Sequence, residues 1–461
     1  PDSVESHWHA ARVLPIVYRS EEDLPRFRSR YLQKLTELSD ALDLSTPSRV
    51  QKAHHAVMGA FRLHYQGENH LEEQRIHGEL LHRILSAYYP EIEARLPEET
   101  PGGDRIRVGF ASALFREHTV VKLFGGWMRE LDRSRFEVYG YHVGEHTDAT
   151  THTVAGWCEG GFHHLPGHEE SVINQIRRDN LQVLIFPELG MDAVLLRVAA
   201  LRLAPVQMVG WGHPVTTGLP TIDVFLSSED MEPENGDAHY SEQLVRLPGL
   251  SVCLEKPQLP PVVRKRSDFG WKEDEVVFLC CQSLFKLLPR DDRVFADILA
   301  RVPQGRLVVL AHPSEFVTGD YVERLGAALG AAGCSPDRLT VLPRQDRQGY
   351  LDLNRAADVF LDGLSWSGGV TTLEALASGL VPVSHAGPIM RARHTAAILT
   401  RIGVTETLAT SPEHYVKLAV RLGLDPAWRS TVSEKLAVAS ATLYGDTQAV
   451  RALEDLIDVL R

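Results

Sequence analysis

The feature that most constrains this chain is a double series of short apolar segments, each alternating with stretches of helical spacing. The segments "IRVGFAS", "FEVYGYHV", "LQVLIFPE", "PVQMVGWG", "VFLSSE" and "QLVRLPG" make the first series, and "VVFLCCQS", "RLVVLAHP", "LTVLPR", "VFLDGLS" and "LVPVSHAG" the second. Such alternation indicates parallel sheets joined by crossover helices. Between the series lies "CLEKPQLPPVVRKRSDFGW", where Pro257, Pro260, Pro261 and a basic cluster read as an interdomain linker. Two Rossmann-like halves are predicted, with the carboxyl ends of their strands facing a shared cleft.

Upstream the texture is different. Leu24, Phe27, Tyr31, Leu35, Leu38 and Leu42 recur in steps of three and four, as one face of a helix requires, and helical spacing returns at Leu71, Ile76, Leu80 and Ile84. "LPEETPGGD" then marks a boundary. The expected organisation is an all-helical unit over residues 1–100, one lobe over 101–258, and a second lobe with the terminal helices over 259–461. A chain of 461 residues is long enough to fill more than one core.

The charge balance, 48 Lys plus Arg against 61 Asp plus Glu, gives a net charge of -13. This argues against nucleic acid as a partner and requires that any anionic substrate meet a locally built site. The five cysteines (Cys158, Cys253, Cys280, Cys281 and Cys334) lack paired metal-ligand spacing and read as reduced and structural. No secretory signal pattern opens the chain and no apolar run approaches a membrane span, so a cytoplasmic location is expected. The first residue is Pro rather than Met, as in a chain trimmed from a longer one.

Residues able to do chemistry fall where the predicted strands end. His118 follows the first strand, and His213, Thr216 and Thr217 follow "VGWG". Gln282 and Lys286 follow "VVFLCC"; Ser367, Gly368, Gly369, Thr371, Thr372 and Glu374 mark a strand-to-helix junction. Glycines let backbone N–H groups approach an anion, threonines add donors, and a helix N-terminus supplies favourable partial charge, so a phosphate suits this junction. Glu374 is placed to accept from the hydroxyls of a ribose, and Lys286 to neutralise a diphosphate leaving group. No Asp-x-Asp triplet is present to hold a metal on a nucleotide diphosphate, so no metal site and no cofactor are expected. Taken singly, each signal has an ordinary reading as turn chemistry, a helix cap or a solvated lysine. Their convergence on one cleft from two lobes favours a nucleotide-diphosphate site.

The segments "RIRVGFAS" with "REHTVVKLF", "LRLAPVQMVGWGHPVTTG", "HYSEQLVRLPG", "CQSLFKLLPR" and "LNRAADVFLDGLSWSGGVTT" resemble, in order and spacing, the catalytic region of protein O-GlcNAc transferases and their bacterial relatives. The resemblance spans residues 105–436. It implies an α/β GT-B fold preceded by a small all-helical unit. It also implies an inverting, metal-independent transfer from UDP-GlcNAc or UDP-Glc to protein Ser/Thr, or to Asn as in one bacterial branch. Residue by residue, it implies that His118 lines the sugar and acceptor end and that Gln282 and Lys286 hold the diphosphate. Arg347 and Tyr350 would lie beside the uracil, residues 368–372 would form the diphosphate loop, and Glu374 would meet the ribose. His213 is a competing candidate for the acceptor side. The loop reads Gly-Gly-Val-Thr-Thr where the family has Gly-His-Thr-Thr, and "GHPVTTG" resembles the Asn-glucosylating branch. The other readings are a UDP-GlcNAc epimerase and a non-catalytic nucleotide-sugar-binding module. The implied partners are a UDP-sugar and an acceptor protein or peptide.

Overall fold

The structure, a computed structural model, describes residues 4–59, 61–93 and 105–460. The boundary stretch 96–104 lies outside the described residues. Five helices come first: α1 (Val4–Arg12), α2 (Asp23–Ala41), α3 (Pro47–Ala56), α4 (Leu71–Tyr88) and α5 (Pro90–Glu93). The apolar spacing of the sequence makes the buried face of α2 from Leu24, Tyr31, Leu35 and Leu38, and α4 buries Leu80, Leu81, Ile84 and Leu85.

The first lobe runs β1 (Ile106–Ser112), α6 (Thr119–Arg129), β2 (Phe136–His142), α7 (Ala149–Ala155), β3 (Gly161–His164), α8 (Glu169–Asp179), β4 (Val183–Phe186), α9 (Ala193–Ala199), β5 (Val206–Gly210), β6 (Val224–Ser228) and β7 (Gln243–Leu247). The second runs β8 (Val276–Cys280), α10 (Pro289–Arg301), β9 (Gly305–Leu310), α11 (Glu315–Ala331), β10 (Leu339–Leu342), α12 (Arg347–Ala356), β11 (Val359–Leu361), α13 (Val370–Ala377), β12 (Val381–His385), α14 (His394–Arg401) and β13 (Leu408–Ala409). Helices α15 (Pro412–Leu424), α16 (Pro426–Ala439) and α17 (Gln448–Leu460) close the chain.

Every strand pair is parallel, in the orders β3-β2-β1-β4-β5-β6-β7 and β10-β9-β8-β11-β12-β13. Strands β4, β5, β6 and β8 are buried along their whole length, which is why apolar residues dominate them in the sequence; the buried polar side chains among them, Gln207, Ser227 and Ser228, are hydrogen-bonded. Both orders reverse direction once, between β1 and β4 and between β8 and β11, and such reversals open the crevices where ligands bind. The two Rossmann-like lobes and the helical unit expected from the sequence are present. No helix among the described residues is long and apolar enough to cross a membrane.

The three parts are tied together by specific contacts. Trp127 and Trp211 donate their indole N–H groups to Ser251 O (2.7 Å) and Ser251 Oγ (2.6 Å), holding the start of the linker on the first lobe. The final helix α17 returns to that same lobe, where Glu454 accepts from the Asp132 N–H at 2.7 Å and Asp458 pairs with Arg135. The helical unit docks on both lobes. Gln74 donates to Thr216 O of the first at 3.1 Å, and Arg391 of the second donates to the carbonyls of His64 (3.1 Å) and Glu68 (2.7 Å). Where α4 crosses the loop after β5, a Cβ at Gly78 would meet Gly218 O at 2.2 Å, so only glycine allows the two backbones this approach.

Candidate active site at the strand-order reversal of the second sheet

Strands β8 and β11 pair with Phe360 opposite Leu279, so their two following loops leave the sheet side by side at the reversal. The β8 loop carries Gln282 and ends in a short 3-10 turn, Leu284–Lys286; the β11 loop carries Asp362 and leads into α13. In the first lobe the equivalent position is filled. Glu188, fully buried, accepts from the Ser112 hydroxyl (2.9 Å) and the Ala113 N–H (3.2 Å), and burial pushes its carboxyl up to about 7.

Asp362 organises the loop. Its carboxylate accepts from the Gly368 N–H (2.7 Å) and from the hydroxyls of Ser367 (2.6 Å) and Ser384 (2.7 Å). Burial pushes its carboxyl up to about 6, with those hydrogen bonds pulling the other way. A Cβ at Gly368 would stand 2.5 Å from Thr371 Oγ1 and 2.7 Å from Thr372 Oγ1, so glycine there lets the first turn of α13 fold against the loop. Ser367 and Thr372 are buried and spend their hydroxyls on Asp362 and Thr395, with Thr372 Oγ1 2.7 Å from Thr395 Oγ1. The sequence marked both as ligand donors; their hydroxyls turn inward and build the loop. Gly369 and Thr371 are half-buried.

Gln282 is likewise structural in its amide N–H, which donates to Trp366 O at 3.0 Å and ties the two loops together. Lys286 lies beyond it with its Nζ 4.2 Å from the centroid of the Trp366 ring. Among the described residues no carboxylate pairs with this ammonium, and enclosure by protein pushes its pKa down to about 8. His394, at the start of α14, stands beside it; a Cβ at Gly369 would lie 3.5 Å from its Nδ1. Burial, with the charges of Lys286 and Arg391, pushes His394 down to about 3, so this imidazole is neutral. Thus an imidazole does face the loop before α13, but α14 supplies it, far along the sequence.

Glu374 opens a neighbouring cavity of about 350 Å³ between the lobes, lined also by Glu117, His118, Lys122, Arg347 and Val370. Lys122 of the first lobe donates to Glu374 Oε1 at 3.1 Å, and Glu117 pairs with Arg347 at 3.3 Å, so two ion pairs bridge the cleft. Tyr350 lies behind, beside Cys281 and Glu374. His118 caps α6, its Nδ1 accepting from the Val120 N–H at 3.3 Å. Burial, with Arg116 and Lys122 nearby, pushes it down to about 4. A neutral imidazole accepting at Nδ1 carries its proton on Nε2, so His118 offers a donor to the cavity.

His213, expected on the open cleft, is instead enclosed under the helical unit. It is 2% exposed, its Nδ1 lies 2.6 Å from Leu189 O, and its ring stands edge-on to His64 at 5.3 Å. Thr216 and Thr217 are held by Glu242, through hydrogen bonds of 2.6 Å to the Thr216 hydroxyl and 2.7 Å to the Thr217 N–H. The "GHPVTTG" segment therefore forms the seat of α4. Lys122, Asp362, Trp366, Arg391 and His394 were missed by sequence reading. Only Asp362, an acid closing an apolar strand, carried a local signal.

The sequence matches the profile of glycosyl transferase family 41 over residues 74–253 and 251–449. The Arabidopsis thaliana protein SPINDLY, described as a probable UDP-N-acetylglucosamine–peptide N-acetylglucosaminyltransferase, is 28% identical over 326 residues, which cover 69% of this chain and 35% of SPINDLY. SEC of the same plant, with the same description, is 26% identical over 372 residues, covering 78% of this chain and 38% of its own. The chain thus spans little more than a third of these relatives. Among solved structures, a lysine-to-methionine mutant of Thermobaculum terrenum O-GlcNAc transferase superposes with a TM-score of 0.69 at 24% identity, covering 99% of this chain and 96% of that one. Anabaena HepE, solved with UDP and glucose, superposes with a TM-score of 0.52 at 12% identity, covering 76% and 99%. The shared architecture is that of GT-B glycosyltransferases.

Proposed function

The chain belongs to glycosyl transferase family 41, and from that premise we propose that it transfers a sugar from UDP-GlcNAc or UDP-Glc to Ser/Thr side chains of proteins. The observation that carries this reading is Lys286, a half-buried lysine with no carboxylate partner among the described residues, whose ammonium lies 4.2 Å from the ring of Trp366 on the loop that leads into α13. A diphosphate there meets the ammonium, the Gly369 and Val370 N–H groups and the positive end of a helix. As the acceptor oxygen bonds to the anomeric carbon, the bond to the diphosphate breaks and its electron pair leaves with UDP. Lys286 takes up that charge. A single displacement of this kind inverts the anomeric centre. His118, as an Nε2–H donor, orients the sugar or acceptor, and the acceptor proton passes to another base or to solvent.

Protein Asn is the second acceptor reading, resting on the "GHPVTTG" segment. An epimerase reading has less support, since the buried acids of this region, Asp291 and Asp362, are taken up in backbone hydrogen bonds. The reading is tested by incubating the chain with a panel of UDP-sugars and acceptor polypeptides and locating the added mass on peptides. If no sugar is transferred and UDP shows no binding heat, the proposal fails.

Two further results are expected. Glu374→Ala should raise the donor KM about ten-fold with kcat little changed, because a carboxylate on two ribose hydroxyls acts in ground and transition states alike; a loss confined to kcat would remove Glu374 from the ribose. Transfer should also persist in EDTA, with Lys286 and α13 providing the charge that a metal provides elsewhere. Activity lost to chelation and restored by Mg²⁺ would refute that mechanism.

A further inference from the structure

A second cavity, of about 630 Å³, lies where the helical unit meets both lobes. Its charged lining is one-sided: Arg12, Arg62 and Arg197 face it with His55 and His312, and among the described residues no Asp or Glu does. In a chain with 13 more acids than bases, a groove free of carboxylates stands out from its surroundings. Glu169 neutralises Arg197. Arg12 and Arg62 have no carboxylate partner among the described residues. Arg12 instead donates to Gly59 O (3.1 Å) and packs against the Met58 thioether, while Arg62 is exposed. Burial, and then the neighbouring Arg62, lower the pKa of Arg12, as expected of two guanidinium groups held together without a counter-charge.

The groove runs up to the candidate active site. Tyr65, on its wall, has its ring centroid 4.6 Å from that of Phe285, the residue before Lys286, and 5.3 Å from that of Trp366, tilted against both. Phe61, Met58 and Met191 add apolar surface, and Met191 is 46% exposed. Aromatic, Met and Arg side chains are the types enriched where proteins bind polypeptides, and unpaired charge in such a groove selects its partner by sign.

We propose that this groove binds the acceptor polypeptide beyond the residue that receives the sugar, and that Arg12 and Arg62 select acceptors with Asp or Glu in that flanking segment. The proposal deepens the transferase reading and rests on it. The test uses the whole chain saturated with UDP and fluorescein-labelled peptides of equal length around a central Ser or Asn, with acidic, amide or basic flanks, read by anisotropy. The acidic peptide should bind roughly three- to ten-fold more tightly than its amide counterpart, and the difference should shrink as salt is raised. Arg62→Glu, an exposed change that leaves the fold and UDP affinity intact, should abolish or invert the preference; Arg12→Gln should weaken it. Equal binding of acidic and basic peptides, an unchanged preference in Arg62→Glu, or displacement of the acidic peptide by inorganic phosphate at equal charge would overturn the assignment, the last by revealing a small-anion site. UDP calorimetry on the same samples reports separately on the donor site. Its failure with acidic peptides still bound would sink the transferase reading while leaving the groove.

Discussion

Lys286→Met is expected to lower kcat for transfer by about 10²–10³-fold with no fall in thermal midpoint, the range seen when a preorganised charge at a developing anion is removed. Methionine fills similar space without the charge. The wild-type lysine is half-buried and lacks a carboxylate partner among the described residues, so its loss breaks no ion pair. The pH dependence gives a second readout. In the free protein the ammonium loses its proton near pH 8, so kcat/KM for the donor should fall as the pH rises through that value. A bound diphosphate favours the charged form and raises the pKa, so the corresponding limb of kcat should lie at higher pH. Near-normal turnover by the variant, or coincident limbs in kcat and kcat/KM, would remove Lys286 from the leaving-group site.

Asp362→Ala is expected to be the most damaging change to the site that touches no ligand. It strands the Gly368 N–H and the Ser384 hydroxyl, both buried, and leaves the Ser367 hydroxyl only Thr395 Oγ1, at 3.0 Å, to donate to. Each buried donor left without an acceptor costs about 1–3 kcal/mol, so a loss on the order of 3 kcal/mol or more is expected. The affected loop carries the amides at the start of α13, so UDP binding should vanish along with the lost stability. Thermal denaturation followed beside UDP calorimetry checks both. A variant with unaltered midpoint and unaltered UDP affinity would show that the loop holds its shape without Asp362. Gly368→Ala provides a related but milder test, since its Cβ presses on two threonine hydroxyls and leaves every donor in place.

Much of this was legible before any coordinates. Strands buried on both faces are dominated by apolar residues, and most of the parallel strands are separated by crossover helices, so the two lobes and their linker stand out as pattern. Ligand sites in such sheets lie past the carboxyl ends of strands, which directed attention to Lys286, Gln282 and residues 367–374. The roles of particular hydroxyls were less readable. A Ser or Thr near a helix N-terminus has the same local signature whether it faces a ligand or turns inward, and Ser367 and Thr372 turn inward because a buried acid and Thr395 need them.

His213 and His394 show the limit most plainly. Both are single histidines near strand or helix ends, and nothing local separates them. The docking of α4, permitted by Gly78 and Gly218, encloses the first. The packing of α14 brings the second to the loop before α13. That Arg12 and Arg62 have no carboxylate partner among the described residues is also invisible in a chain rich in acids, because it depends on which acids fail to reach the groove. The sequence by itself determined the order of strands and helices, the lobes and the strand ends where chemistry gathers, since periodicity and turn residues act over short distances along the chain. Only the tertiary structure decided which polar groups satisfy one another and which are left facing open space, because that pairing joins residues hundreds of positions apart.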